Sequence, residues 1–140
     1  MGLDRSEGEA LFRLLESPET SPAFFERVAD DVRWTVMGTH SIAGTYSSKA
    51  EFFEKTFARL APLMREGIHL RLLGLVVDGD TIVAELQANS TTLEGAPYDN
   101  ALCWVCRFDG EQIVEVRAYL DSAMISWTVE RNERLAATRG

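Results

Sequence analysis

The sequence predicts an α+β domain, in which helices pack on one face of an antiparallel sheet. Three observations carry this prediction. The segment SKAEFFEKTFARLAPLM repeats apolar residues at the 3.6-residue period of a helix. Two Asp-Gly turns join four strand-like runs in the second half of the chain. A closing segment, SAMISWTVERNERL, again has the pattern of a helix.

The first part of the chain predicts two short helices and a strand. EGEALFRLLES places leucines on one helical face, and the Pro/Ser-rich stretch 17–22 interrupts it. The second helix, SPAFFERVADD, begins with Ser21 as N-cap and Pro22 at the first helical position. We expect Asp30 and Asp31 to end this helix at the surface. DVRWTVMG then indicates a strand that ends in glycine.

The central part predicts a turn-rich connection, with room for a short second strand, followed by the longest helix before the sheet. Ser47 or Ser48 can cap that helix, and Glu51 stands three residues after Ser48, which is the spacing of a capping box. The apolar positions that follow the helical period are Phe52, Phe53, Phe57, Leu60, Leu63 and Met64.

The second half predicts two hairpins joined by LEGAP. IHLRLLGLVV meets TIVAELQANSTTL through DGD, and YDNALCWVCRF meets QIVEVRAYLD through DGE. Residues 72–77 are apolar on both faces of their strand. This indicates a sheet that is covered on both sides, by helices on one face and by a partner subunit on the other.

Composition limits the classes of partner. The chain of 140 residues fits one domain over 1–140, and its net charge of −8 argues against nucleic acid and against anionic membranes. No apolar run approaches the roughly 20 residues that a membrane helix needs. The N-terminus carries acids and has no apolar signal-peptide core, so the expected location is the cytoplasm.

Cys103 and Cys106 form a C-x-x-C on a predicted strand. Side chains alternate along a strand, so the two thiols should point to opposite faces and serve as small packing residues. His40 and His69 are far apart and lack metal-ligand spacing. We therefore expect no metal.

The same alternation sorts the polar residues of the last strands. Asn100 shares a face with Trp104 and other bulky residues, so it should be a polar group among apolar walls that needs a partner. Tyr119 and Asp121 belong to a polar set that is either a solvated face or the lining of a polar cavity. Tyr46 and Tyr98 could each donate a hydrogen bond to a ligand carbonyl, or pack with the hydroxyl in water.

Several phrases together resemble the NTF2-like superfamily, and within it the SnoaL-like branch of polyketide cyclases and ketosteroid-isomerase relatives. These are D-D-V-x-W, G-x-Y before a helix, D-G-D, Y-D-N, F-D-G-x-I-V-E-V-R and Y-L-D, in this order over roughly residues 8–132. The resemblance implies a cone made of a curved antiparallel sheet wrapped around N-terminal helices, closed by a C-terminal helix. It also implies a pocket at the open end and a homodimer formed through the sheet.

The resemblance also implies site residues. Asp121 matches the final aspartate of Y-L-D, Tyr46 the aromatic of G-x-Y, and Trp34 the tryptophan of the first strand. His40 follows Gly38 in a loop expected at the pocket mouth, where it is either a general base, the third catalytic candidate beside Asp121 and Tyr46, or a surface-loop histidine. The expected ligand-binding residues are Trp34, Phe57, Asn100, Trp104 and Tyr119.

Asp121 has a second interpretation, because it stands immediately before the last helix and could be its N-cap. Ser122 could cap the helix instead and leave Asp121 free. An epoxide hydrolase of this superfamily would want an Arg/Asp pair on a middle strand, where this chain has Glu85, Gln87 and Asn89.

The expected function is therefore a pocket for a small hydrophobic molecule, with proton-transfer chemistry if the protein is an enzyme. That enzyme would be an isomerase or cyclase that needs no cofactor, with hydration or hydrolysis as a weaker option. Asp121 would move the proton while Asn100, Tyr46 or His40 polarises an oxygen. The alternative is a non-catalytic ligand-binding or dimerisation module.

Overall fold

A computed structural model describes residues 3–139 of the chain. Helices precede, interrupt and follow the strands, as the α+β prediction requires. The helices are α1 (Arg5–Arg13), α2 (Ser21–Glu26), α3 (Lys49–Lys55), α4 (Phe57–Leu60) and α5 (Ser122–Arg139), with 3-10 turns at Leu14–Glu16 and Ala61–Leu63. The strands are β1 (Val28–Val36), β2 (Gly44–Tyr46), β3 (Leu70–Asp78), β4 (Thr81–Ala88), β5 (Ser90–Thr91), β6 (Pro97–Tyr98), β7 (Ala101–Asp109) and β8 (Gln112–Leu120).

A curved sheet of six strands, in the order β2-β1-β8-β7-β4-β3, forms the body of the fold. Neighbouring strands are antiparallel except β1 and β8, which run parallel. β5 and β6 form a small separate ribbon. Both Asp-Gly hairpins are present, and Gly79 and Gly110 have φ values of 61° and 62°, which their tight turns require. The predicted fold class is therefore confirmed.

The inner face of the sheet holds the core. Alternate residues of the long strands are buried there, Trp104, Cys106 and Phe108 among them. Cys103 lies on the other face, as the alternation predicted. α1 packs against β3, α3 against β1, and α5 against the 3-10 turn at 61–63. Burial raises the pKa of the Cys106 thiol, so this thiol is a packing group.

Two local predictions were wrong. Asp30 and Asp31 lie in β1 instead of ending a helix, because α2 stops at Glu26 and Val28 already pairs with β8. Both carboxylates are exposed in an irregular stretch of that pairing, where the register shifts between Val28 and Arg33.

The single helix predicted over residues 48–64 is two helices. Thr56 has φ −121° and ψ −80°, and its hydroxyl donates to the Phe52 carbonyl at 2.6 Å. The Phe52 carbonyl therefore accepts from both the hydroxyl and the backbone N–H of Thr56, and a threonine bond of this kind often bends a helix. Ser48 caps α3 by accepting from the Glu51 N–H, as expected, while Glu51 itself accepts from the Ser47 N–H.

Candidate functional site

An apolar cavity of about 50 Å³ lies between the inner face of the sheet and the α3–α4 segment. Its aromatic wall residues are Trp34, Phe52, Phe57, Tyr98 and Trp104. Its other wall residues are Val36, Ile42, Thr56, Leu60, Ile68, Leu70, Leu102, Ala118 and Leu120. Pockets that hold drug-sized ligands are typically roughly 300–1,000 Å³. A ligand of that size therefore needs wall side chains to move.

The α3–α4 segment forms one side of this cavity. Phe52, Thr56, Phe57 and Leu60 line it, and their spacing places them on one face of the segment. Four wall side chains are only partly buried, which brings this part of the cavity close to the surface. They are Phe57, Ile68, Leu102 and Leu120.

A buried polar cluster adjoins the cavity. The Asn100 side chain is 1% exposed, and its amide group donates to the Tyr98 hydroxyl at 3.3 Å and to the Asp121 carbonyl at 3.2 Å. Its carbonyl oxygen accepts from the Asp121 N–H at 2.9 Å. Asn100 thus has the partners that a buried amide needs. It ties the start of β7 to the end of β8.

Tyr98 is the only residue of this cluster that lines the cavity. Its hydroxyl oxygen accepts from Asn100, and within residues 3–139 its proton has no acceptor. Burial, with a further contribution from the charge of Asp121, raises the pKa of Tyr98 to about 12, although the Asn100 hydrogen bond acts the other way. At neutral pH the phenol is therefore a proton-bearing donor beside an apolar space.

Trp34 adds a second unusual polar atom. Its side chain is 1% exposed, and its indole N–H has no hydrogen-bond partner among the described residues. A buried donor without a partner costs about 1–3 kcal/mol. Phe52 stacks on the ring at 3.9 Å, and Trp104 meets it edge-on at 5.1 Å between ring centroids.

The three predicted catalytic residues do not lie together in the cavity wall. The Asp121 carboxylate is exposed and accepts from the Met124 N–H at 3.2 Å, so Asp121 is the N-cap of α5. Its backbone touches Asn100, and its charge acts on Tyr98. Asp121 therefore stands behind the wall, and its role in proton transfer stays a prediction.

His40 and Tyr46 are both buried and both bound within their own loop. His40 Nδ1 accepts from the Ile42 N–H at 3.3 Å, which leaves Nε2 to donate to the Met37 carbonyl at 3.0 Å. This pattern selects the neutral ring with its proton on Nε2. The Tyr46 hydroxyl donates to the Ile42 carbonyl at 2.7 Å, and burial raises the pKa of Tyr46. Their catalytic roles also stay predictions.

The expected ligand-binding residues divide into three groups. Trp34, Phe57 and Trp104 line the cavity, and Asn100 reaches it only through Tyr98. Tyr119 needs a correction, because it is 44% exposed on the outer face of the sheet, opposite the cavity. Sequence reasoning considered Tyr98 but did not select it. Its position in the sequence could have indicated it: Tyr98 stands two residues before Asn100, so both side chains lie on one side of an extended chain.

A larger and more open groove of about 510 Å³ lies between α2 and α3. Its one cation, Lys49, donates to the carbonyls of Phe25 and Val28 at 2.8 and 3.0 Å and lies 3.5 Å from the Asp30 carboxylate. These contacts hold the end of α2 in place and occupy the three N–H donors of Lys49. The apolar cavity is therefore the better candidate site.

Among residues 3–139, no three His, Cys, Asp or Glu side chains come close enough to hold a metal ion. No described helix is long and apolar enough to cross a membrane.

Comparison with known proteins gives the family. Residues 9–116 match the SnoaL-like domain. The dimerizing cyclase phiC of Fungal sp. (strain ATCC 74256) is 32% identical over 113 residues, which are 78% of this chain and 50% of that protein. The dimerizing cyclase tstC of Talaromyces stipitatus is 29% identical over 119 residues, 82% of this chain and 53% of that protein. The chain thus spans about half the length of both relatives.

The fold has solved counterparts. The crystal structure of an NTF2-like protein from Burkholderia thailandensis superposes with a TM-score of 0.71 at 23% identity, over 90% of this chain and 98% of that one. At 23% identity, this superposition supports the fold, whereas the match of residues 9–116 supports the family. Together with the cone-shaped sheet and its apolar cavity, they show that this chain belongs to the SnoaL-like domain family, with an NTF2-like fold.

Proposed function

We propose that this chain is a cyclase-type pocket domain, which binds a small hydrophobic carbonyl compound and polarises its oxygen through Tyr98. One observation carries the proposal. Tyr98 lines an apolar cavity, and its buried hydroxyl, which accepts from Asn100, has no acceptor for its own proton among the described residues. A pre-positioned donor of this kind stabilises negative charge that develops on a carbonyl oxygen.

The chemistry that follows is proton transfer without a cofactor. A base removes a proton from the carbon next to the carbonyl, and the electron pair moves onto the oxygen, which Tyr98 holds by a hydrogen bond. The resulting enolate either takes a proton back at another carbon or attacks a second electrophilic carbon, which closes a ring. Asp121 is our candidate base, because it is the carboxylate whose charge acts on Tyr98. Its carboxylate caps α5 outside the cavity wall, so it must leave the Met124 N–H to reach a ligand proton.

The relatives support a cyclase over other reactions of this fold. Both are named dimerizing cyclases, and the matched half of each corresponds to most of this chain. The identity of the substrate does not follow from these names. Ring closure and the joining of two units are reactions to which an enolate is suited.

Exchange of the α-protons of cyclohexanone with deuterated water, followed by NMR, tests this function with a minimal substrate. We expect the wild-type protein to accelerate exchange over buffer, and Tyr98→Phe to lower that acceleration about 100-fold, the usual effect of removing one oxyanion donor. Tyr46→Phe is the comparison, because it removes a hydroxyl that is already bound to Ile42. If Tyr46→Phe abolished exchange and Tyr98→Phe did not, the assignment to Tyr98 would be wrong.

A non-catalytic binding module is the second candidate, and one observation favours it. The described cavity wall contains no carboxylate, imidazole or amine. Such a module would bind cyclohexanone without accelerating exchange, and replacing Asp121 would then change stability alone.

We also propose a homodimer formed through the outer face of the sheet, which we define by Leu73, Val76, Val83, Val105 and Tyr119. Leu73 and Val76 are 54% and 62% exposed, and Tyr119 is 44% exposed. Exposed apolar side chains that share one face of a sheet are typical of an association surface. A second copy would cover them.

A further inference from the structure

The Trp34 indole is surrounded by groups that cannot accept its proton well. Phe52 stacks on it, Trp104 meets it edge-on, and Phe25 lies 6.4 Å away between ring centroids. Its backbone is held in β1, opposite Tyr46 on one side and Val116 on the other. The ring therefore cannot turn away to reach water without disturbing the core of the sheet.

We infer that the Trp34 indole N–H is a ligand-recognition group, which donates a hydrogen bond to an uncharged oxygen of the molecule that fills the cavity. The inference rests on the proposed function, because it concerns the same cavity. It adds a specificity residue and a restriction on the ligand. Trp34 lines the cavity, and its N–H is the one buried side-chain polar atom in the described chain without a protein partner.

The cavity wall explains why that oxygen is uncharged. Its side chains are apolar apart from Tyr98 and Thr56 and, in the described structure, include no lysine, arginine or histidine to balance an anion. An ionised group would lose its hydration there without compensation. A ketone, ester or lactone oxygen accepts from an indole N–H and keeps the remainder of the ligand apolar. Carboxylates and phosphates are therefore excluded as the group that Trp34 binds.

NMR of nitrogen-labelled protein tests the inference with two probes of nearly equal shape, cyclohexanone and methylenecyclohexane. The chain has three tryptophans, so Trp34, Trp104 and Trp127 give three indole signals, and Trp34→Phe assigns the first. Trp127 is 51% exposed on α5 and serves as the internal reference. We expect cyclohexanone to move the Trp34 signal downfield and methylenecyclohexane, which has no acceptor, to leave it nearly in place.

The affinities of the two probes for the wild type and for Trp34→Phe give a second test. Trp34→Phe should weaken cyclohexanone binding about threefold to tenfold, the value of one neutral hydrogen bond, and change methylenecyclohexane binding less than about twofold. Equal losses for both probes would mean that Trp34 acts only by packing, and would overturn the inference. If the variant does not fold, NOEs between the indole N–H and the Phe52 ring that stacks on it assign the Trp34 signal, and the wild-type spectra still answer the question.

Other outcomes separate this inference from the proposed function. If both probes shift wall signals such as those of Leu102 but move the Trp34 indole equally, the cavity binds ligands and the inference fails. Magnetisation transfer from water to the Trp34 indole N–H gives a further test. If it persists when cyclohexanone is bound, the N–H donates to a structural water, and the inference is wrong. If neither probe shifts any wall signal, the cavity binds neither of them. The proposed function then fails, and the inference fails with it.

Discussion

At the scale of single residues, Asn100 determines where the polar groups of the site lie. It spends both amide hydrogens and its oxygen on Tyr98 and on the two backbone groups of Asp121. An amide was expected here to need a partner, and the structure provides three. The Tyr98 hydroxyl oxygen accepts from Asn100, and its proton has no acceptor among the described residues, as its proposed role requires.

Tyr98 should make the free energy of unfolding fall at alkaline pH. Burial raises its pKa to about 12 from 10.0, so the unfolded chain loses the phenol proton before the folded chain does. The stability due to the neutral hydroxyl is fully present below about pH 10 and is lost as the pH rises toward 12. At about 1.4 kcal/mol for each pKa unit, the loss is on the order of 2–3 kcal/mol.

Tyrosinate absorbance and denaturant unfolding, followed against pH, check this prediction. In Tyr98→Phe we expect a smaller late-titrating absorbance and a weaker fall in the free energy of unfolding above pH 10. Some late titration remains, because burial also raises the pKa of Tyr46. A late step of unchanged size in Tyr98→Phe would show that Tyr98 is not the buried phenol responsible.

At the scale of elements, two helix boundaries build the site. The break at Thr56 separates α3 from α4, and both helices contribute wall residues. The start of α5 is fixed by Asp121, which uses its side chain as cap and its backbone to hold Asn100. One residue therefore joins the last helix to the polar cluster.

Substitutions of Asp121 separate its cap from its predicted role as base. Asparagine caps helices about as well as aspartate, whereas alanine costs about 1 kcal/mol. We therefore expect Asp121→Ala to lower the free energy of unfolding by about that amount and Asp121→Asn to change it by a few tenths. If Asp121 is the base, both variants lose cyclohexanone exchange equally.

Urea unfolding and the exchange rate, measured on both variants, check these outcomes. Full exchange activity in the stable Asp121→Asn variant would remove Asp121 from the chemistry and leave it as a cap. A loss of stability in Asp121→Asn as large as in Asp121→Ala would contradict the capping account.

At the scale of the whole molecule, the two faces of the sheet differ in character, and we propose a different partner for each. The inner face covers the cavity, whose uncharged wall suits a neutral ligand despite the net charge of −8. The outer face carries exposed Leu73, Val76 and Tyr119 beside charged residues such as Arg107 and Glu115, which form an ion pair at 3.3 Å. Apolar and charged groups side by side are suited to specific association.

A charge placed on the outer face should dissociate the proposed dimer. We expect sedimentation to show a dimer for the wild type and a monomer for Val76→Arg, because an unpaired guanidinium would be buried in the interface. Ala58→Arg, on an exposed position of α4, is the matched control and should stay dimeric. A wild-type protein that sediments as a monomer at all concentrations tested would rule out this interface.

Local pattern was enough to predict much of this protein. Helical periodicity, the two Asp-Gly turns and strand alternation predicted the fold class, the inward side of Trp104 and the opposed cysteines, because these depend on neighbours within a few residues. The burial of Asn100 followed from the same alternation. Nothing in that pattern distinguished Tyr98 from Tyr46, since both are tyrosines next to strands.

The tertiary structure decided the rest, because each answer depends on atoms distant in sequence. Tyr46 binds the nearby Ile42 carbonyl, while Tyr98 is held by an amide that also holds Asp121, 21 residues beyond Asn100. Strand alternation placed Tyr119 among polar residues, and only sheet curvature and helix packing determined which face encloses the cavity. The unpartnered Trp34 N–H likewise exists only because distant aromatic rings meet around it.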